Sequence, residues 1–240
     1  MSLPIMPLLT IELLIALVCA HLLADFVFQT TNMVLNKHRP VFMLMHGLHV
    51  FALTALFSGG AMALSIGIAL THVAIDAIKV HLAPDTLRTY LLDQCAHLVI
   101  LLCAVMWLPN ALLEPWWPPL STDMIQVALV LSGLITATMA GGPAVGHLMA
   151  RYKFDAQLDG LEYAGRIIGL MERGLIFLMV MIGEPSGIGF LIAAKSILRF
   201  DTVSRDQKMS EYVIIGTLAS FGWALAASFA TMATMRALGY

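Results

Sequence analysis

The sequence predicts an all-α, polytopic helical membrane protein with about eight transmembrane helices, or seven if residues 186–200 do not fully cross. Three observations predict it: the scarcity of charge, apolar runs of spanning length along the whole chain, and an internal repeat that sets out the first half as two helical hairpins. Of 240 residues, 60% are hydrophobic and 12% charged, and the mean hydropathy is +0.87. Soluble domains carry about 25% charged residues. Half that supply does not cover a water-exposed surface, which excludes a soluble globular enzyme and a disordered chain. A net charge of −2 also excludes a nucleic-acid binder, which needs a basic face.

A span needs about 20 mostly apolar residues. Such segments lie near 5–29, 41–59, 61–80, 89–112, 122–149, 163–183, 186–200 and 211–236. The first lacks the basic region and small-residue cleavage site of a secretory signal and reads as a retained span. The seventh is short, opens on Glu184-Pro-Ser-Gly-Ile-Gly, and suits a half-helix or a tilted segment. In the fifth, Gly141-Gly142-Pro143 predicts a kink that brings His147 toward the cytoplasmic side.

Loop charge sets the direction. Lys37, Arg39, Lys79, Arg88, Arg151, Lys153, Arg199, Arg205 and Lys208 fall in one set of loops, whereas Glu114, Asp123 and Glu184 fall in the other. The positive-inside rule puts the basic set in the cytoplasm and, with eight spans, both termini outside. Trp116 and Trp117 then read as an interfacial belt on the outer face. Cys19, Cys95 and Cys103 lie in apolar runs without metal-site or disulfide spacing and read as small hydrophobes.

The repeat has an offset of 51 residues. His21 and Asp25 recur as His72 and Asp76, His46 recurs as His97, and Lys37 as Arg88. Each copy is a hairpin with His-x-x-x-Asp on its first helix and His on its second. The two hairpins point the same way and are related by an axis along the membrane normal. Copy one adds His49, three residues after His46; copy two adds Asp93, four before His97. Spacings of three and four place both members of a pair on one helix face. At 1.5 Å per residue, the four repeated histidines sit about 7–12 Å inside the cytoplasmic boundary and the three aspartates about 6 Å inside.

Ionisable groups at that depth are costly and face a bundle interior or a cavity. Histidine with carboxylate is a ligand set for zinc, and it also suits manganese, iron or nickel. His21, Asp25, His46, His49, His72, Asp76, Asp93 and His97 are therefore the expected metal ligands, for one or two ions. Asp25, Asp76 and Asp93 are also the catalytic candidates, as ligands or as general base. His38, His81 and His147 read as ordinary packing or surface histidines.

His21-Leu-Leu-Ala-Asp25-Phe-Val-Phe-Gln29, Lys37, His46, His72-Val-Ala-Ile-Asp76-Ala-Ile-Lys79 and Asp93-Gln94-Cys-Ala-His97 resemble the bacterial DUF3307 membrane family. The resemblance covers roughly the first half of the chain. It implies a helical membrane fold and marks these positions, and it implies the bacterial inner membrane, but no reaction. A weaker likeness runs to integral-membrane metal-dependent hydrolases, which gather His and Asp from several helices. The Ser-x-x-x-His partner of the ceramidase and adiponectin-receptor group is absent.

Residues 1–119 form a four-helix His/Asp bundle in this scheme, and 120–240 a second helical bundle with its own polar cluster. There Arg166, Glu172 and Arg173 lie in span six, Lys195, Ser196 and Arg199 in segment seven, and Glu211 and Tyr212 open span eight. Arg173 and Lys195 need partners, for which Glu172 and Glu211 are the candidates. Arg166, Arg173, Lys195 and Arg199 also make a candidate anion site for a phosphate or carboxylate headgroup, although helix-anchoring ion pairs have the same composition. The function expected from the whole is metal-dependent hydrolysis of an amphipathic or anionic, lipid phosphate-like substrate on the cytoplasmic side, with membrane lipids as partners. The alternatives are a divalent-metal or proton-coupled transporter and a structural or partner-binding membrane subunit.

Overall fold

Helices are the regular structure of the described residues, and no strand is found among them. The computed structural model describes residues 8–108, 115–118, 120–152, 164–203 and 207–240, with side chains for all of these except 8–9 and 198–203. The chain divides into two compact units, Met1–Ser132 and Gly133–Tyr240.

The first unit begins with α1, Leu8–Leu22, which continues as a π-helical segment over Leu23–Phe28. A short helix α2, Thr31–Leu35, follows, its first turn capped by the Thr30 hydroxyl, which accepts from the Met33 N–H. Helix α3, Pro40–Phe57, starts on a proline whose missing N–H has no partner to lose at that position. Helix α4 spans Met62–Leu82 and α5 spans Leu87–Trp107. A reciprocal pair between Thr86 and Thr89 closes the start of α5: each residue's backbone N–H donates to the other's hydroxyl.

Helix α1 packs on α3 and α5, and α4 packs on the same two, so the four helices close a ring. Small residues set how close they come. A side chain at Gly47 on α3 would place its Cβ 2.7 Å from Val73 Cγ2 on α4. The α3–α4 turn uses Gly59 and Gly60 at φ of 72° and 82°, the left-handed region that only glycine enters freely. The indole of Trp117 covers Gly60, where a Cβ would stand. The N–H groups of Trp116 and Trp117 donate to the Gly59 carbonyl at 2.8 and 3.1 Å. That pair of tryptophans therefore closes the hairpin end as well as presenting an aromatic surface.

Helix α6, Thr122–Ile135, opens the fifth apolar stretch, and the unit boundary falls within it. A π-helical segment, Thr136–Ala140, then leads into α7, Gly141–Met149. The irregularity stands where Gly141-Gly142-Pro143 predicted a kink. Pro143 has no N–H, so the α-helical partner of the Met139 carbonyl and the π-helical partner of the Thr138 carbonyl are both missing. Helices α8, Ala164–Met181, α9, Gly187–Val203, and α10, Gln207–Ala237, complete the chain. In the second unit α10 packs on α7, α8 and the π segment, and α9 lies against α8 and α10. Its core is Ile176, Val180, Ile188, Phe221 and Ala224.

Among the described residues, six helices are long and apolar enough to cross a membrane: Thr10–Phe28, Pro40–Phe57, Met62–Leu82, Leu87–Trp107, Thr122–Met149 and Gln207–Ala237. They correspond to the expected spans one to five and eight. The other two expected spans are helical but differ in kind. Helix α8 carries Arg166, Glu172 and Arg173, of which Glu172 and Arg173 are buried within the unit. Helix α9 has 17 residues, about 26 Å at 1.5 Å per residue, short of the roughly 30 Å hydrocarbon core. Of the charges used for orientation, Glu114, Lys153, Arg205 and the side chain of Arg199 lie outside the described residues.

Candidate functional site

The histidines and aspartates of the repeat meet inside the ring of α1, α3, α4 and α5. The positions that place them are spaced by four on each helix, so the bundle reads as layers. Leu17, Val50, Ile68 and Leu101 form an apolar layer with exposures of 1–5%. One turn along each helix stand His21, His46, His72 and His97, at 0–3% exposure. Another turn on three of the helices gives Asp25, Asp76 and Asp93; the fourth helix places Met43 in that region, also buried. Lys37 and Lys79 then cap the carboxylates, with Lys37 Nζ 2.7 Å from Asp76 Oδ2 and Lys79 Nζ 2.8 Å from Asp93 Oδ2. Apolar, imidazole, carboxylate and ammonium groups follow one another along the bundle.

At the centre four ligand-type atoms converge. His46 Nε2 and His72 Nε2 are 2.9 Å apart. Asp25 Oδ1 lies 3.4 Å from His46 Nε2 and 3.2 Å from His72 Nε2. Asp76 Oδ2 lies 3.3 Å from His46 Nε2 and 3.4 Å from His72 Nε2. Metal–ligand bonds of about 2.0–2.2 Å give a tetrahedron with edges of about 3.3–3.6 Å. The four His–Asp separations are close to that size, and the His46–His72 separation is shorter.

A second set adjoins it through the same carboxylate. Asp76 Oδ1 lies 3.9 Å from His97 Nε2, and Asp93 Oδ1 lies 3.5 Å from that nitrogen. Three overlapping groups bring their ligand atoms within 4.8 Å of one another: His21–Asp25–His72, His46–His72–Asp76 and Asp76–Asp93–His97. These clusters are able to hold a metal ion. Neither ring nitrogen of His21 has a close hydrogen-bond partner despite being buried, and Asp25 Oδ1, Asp93 Oδ1 and His97 Nε2 meet only imidazoles and carboxylates of the cluster at 3.2–3.9 Å. Buried polar atoms are normally satisfied, so unmet donors and acceptors gathered in one place fit a ligand-binding role. His72 and His97 stack at 3.9 Å between ring centroids, and His21 flanks both at 5.4 and 5.1 Å. A cavity beside these three rings has about 10 Å³ of room for water centres, the threshold for a single molecule.

The repeat is visible in these distances. His21 to Asp25 is 3.8 Å and its counterpart, His72 to Asp76, is 3.4 Å. Asp25 to His46 is 3.4 Å and its counterpart, Asp76 to His97, is 3.9 Å. Asp93 has no counterpart, since Phe42 stands at the equivalent position. The π segment of α1 is the other asymmetry, and it carries Asp25.

Residues 13–118 match the family model of DUF3307, a protein of unknown function. The match spans the whole four-helix His/Asp ring and stops before the second unit, in agreement with the sequence resemblance. No curated protein and no solved structure matches the chain.

Not every expected residue joins the cluster. His49 is half-buried, its ring 6.2 Å from that of Phe28, and it belongs to none of the three groups. His38 and His81 are exposed. The cysteines are free, and only Cys19 is buried. Three residues at the site had no role in it from sequence: Lys37 and Lys79 figured there as loop charges and within the quoted motif, Lys37 also as the repeat partner of Arg88, and Gln94, whose amide donates to Asp25 Oδ2 at 3.3 Å, lay within the quoted motif.

The second unit has its own polar cluster. Lys195 Nζ pairs with Glu172 Oε2 at 2.7 Å. Among the described residues Arg173 makes no close ion pair with a carboxylate, although Glu172 stands next to it in the chain. Its Nε and Nη2 donate to the Thr138 carbonyl at 3.0 and 2.8 Å, and Nη1 donates to Ser220 Oγ at 3.2 Å. That carbonyl is the one whose π-helical partner Pro143 removes. Glu211, the other expected partner, is exposed and accepts from Gln207 at 3.0 Å instead. Of the expected anion-site residues, Arg173 and Lys195 line a common cavity, Arg166 is exposed and does not, and the Arg199 side chain lies outside the described residues.

Proposed function

We propose that the first unit is a metal-dependent hydrolase centre holding two divalent ions, zinc by preference, on the cytoplasmic side of a bacterial inner membrane. The observation that carries this is Asp76, which turns its two carboxylate oxygens to two different sets of donors. Such a carboxylate would be able to serve two neighbouring ions. His46, His72, Asp25 and Asp76 would hold one ion, and Asp76, Asp93 and His97 would hold a second with fewer protein ligands. When bound, the metal supplies Lewis-acid activation of water or of an ester oxygen. The chain's own groups do the rest: Lys37 and Lys79 hold Asp76 and Asp93 in place, and the aspartates act as ligands or take the proton from water. His21 lines the water-sized cavity and is the residue best placed to relay that proton. The substrate class is an amphipathic, anionic ester of the lipid phosphate type, reached from the basic end of the bundle.

The test is elemental analysis of the purified protein, followed by phosphate release from phosphatidic acid in mixed micelles. One to two zinc ions per chain are expected, both lost in Asp76→Asn, with turnover only in the loaded wild type. Absence of stoichiometric metal after growth in zinc overturns the centre, and bound metal without turnover overturns the hydrolase.

A second reading, divalent-ion or proton transit, is favoured by one observation: the cavity at the histidines admits a single water and no organic group. Zinc or proton flux into proteoliposomes, sensitive to Asp76→Asn and without phosphatase turnover, would establish it.

A further inference from the structure

We propose that the second unit binds a monoanionic headgroup carried on an apolar tail, in the cavity that Arg173 and Lys195 line. This rests on the second unit alone and stands whether or not the first unit holds metal.

The argument starts from charge. Arg173 is 5% exposed, on a helix of a membrane protein, and an uncompensated cation there is costly. Its hydrogen-bond partners among the described residues are a carbonyl and a hydroxyl, both neutral. The neighbouring acid, Glu172, is already engaged by Lys195 at 2.7 Å. One positive charge remains in the group of three, and a monoanion balances it where a dianion overshoots.

Geometry agrees. A guanidinium has five N–H donors in a fixed fork. Three are used, so one remains on each terminal nitrogen, the pair that grips an oxyanion in two-pronged fashion. Glycines leave room around them: a Cβ at Gly169 would stand 3.0 Å from Arg173 Nη1, and one at Gly142 3.6 Å from Nη2. The cavity holds about 170 Å³, below the 300–1,000 Å³ typical of pockets that enclose a whole organic ligand. It therefore takes a headgroup and not a whole lipid. Thr217 and Ser220 add hydroxyls to its wall, while Ile168 and Val213 make the apolar part. Ile168 is 41% exposed, so the wall continues onto the outer apolar surface of α8, where a tail lies in the bilayer.

The experiment titrates the full-length protein in a neutral maltoside detergent with oleate, dioleoylphosphatidylglycerol, inorganic phosphate and uncharged monoolein, read by native mass spectrometry and calorimetry. Oleate and the phosphatidylglycerol are expected to bind at one per chain, with monoolein at least tenfold weaker. Inorganic phosphate binding as tightly as the lipids would overturn the role of the tail and leave a free-anion site. Arg173→Gln and Lys195→Gln are expected to weaken the lipids at least tenfold. Glu172→Gln, which frees Lys195, is expected to strengthen them severalfold. Should Arg173→Gln fail to fold, the opposite signs of the other two variants still decide. Equal affinity in wild type, Lys195→Gln and Glu172→Gln, or equal affinity for monoolein, overturns the proposal.

Discussion

His46 and His72 come from different copies of the repeat and face each other Nε2 to Nε2 at 2.9 Å, with Asp25 Oδ1 and Asp76 Oδ2 each within 3.4 Å of both. A neutral imidazole has one donor and one acceptor nitrogen, so this contact is a hydrogen bond in one tautomeric arrangement and a pair of metal-facing lone pairs in another. His72→Ala should separate the two. Removal of a direct ligand is expected to weaken zinc by more than the 10–100-fold typical of losing an outer partner. His49→Ala, beside Phe28 and outside the cluster, should leave zinc affinity unchanged. Competition with a chromogenic chelator measures both, and equal losses would contradict the assignment of ligands.

Lys37 neutralises Asp76 at 2.7 Å. Asp76 is 1% exposed and Lys37 13%, so Lys37→Met leaves a buried carboxylate without its cation. Breaking such a pair costs about 3–5 kcal/mol, nearer the lower figure because Lys37 keeps some contact with solvent. A bound divalent ion takes over the neutralising role, so the loss in melting temperature should be large with chelator and clearly smaller with saturating zinc. A deficit that zinc leaves untouched would count against an ion at Asp76.

Two glycines on neighbouring helices make a matched pair for packing. Gly47→Val drives a side chain against Val73, and strain of about 1–3 kcal/mol is expected. Gly67, on α4, has open space where its Cβ would be. Gly67→Ala should therefore be neutral or stabilising by about 0.5–1 kcal/mol from helix propensity alone. Thermal unfolding in detergent checks the contrast.

Pro143 and Arg173 are linked through the Thr138 carbonyl, since Pro143 lacks the N–H that a π-helical bond to it would use and Arg173 supplies two N–H groups. Arg173→Met alone should cost about 1–3 kcal/mol for the orphaned carbonyl. With Pro143→Ala in the background a main-chain N–H becomes available, so the same substitution should cost less. A double-mutant cycle on unfolding temperature tests this, and strict additivity would show that the two act independently.

The site was legible wherever chemistry repeats at a spacing of four. Seven of its ionisable residues fall on faces that helix geometry alone aligns, and the 51-residue offset pairs them across copies. The lysines were less legible: Lys37 and Lys79 sit at loop edges, where a cation also reports orientation, and nothing local links Lys37 to an aspartate 39 residues away. His49 failed in the opposite direction, because a spacing of three shares a face only loosely and its ring turned to Phe28. In the second unit the acid–base pairing of Lys195 with Glu172 followed from composition. Arg173 did not, since its partner is a carbonyl exposed by a proline thirty residues earlier, and main-chain acceptors leave no mark in a charge pattern. Helix existence followed from hydropathy, whereas α8 and α9 show where length and charge stop agreeing.

The layering of the first unit makes it a well with a floor. Anything arriving past Lys37 and Lys79 meets carboxylates, then imidazoles, and then the apolar layer of Leu17, Val50, Ile68 and Leu101, beside which the hydroxyls of Thr54 and Thr71 are the polar groups of the cavity wall. A polar visitor leaves by the way it came. To act as a conduit the bundle must part those four side chains, so bulkier residues at Val50 or Ile68 would silence conduction and spare chemistry done at the bottom of the well.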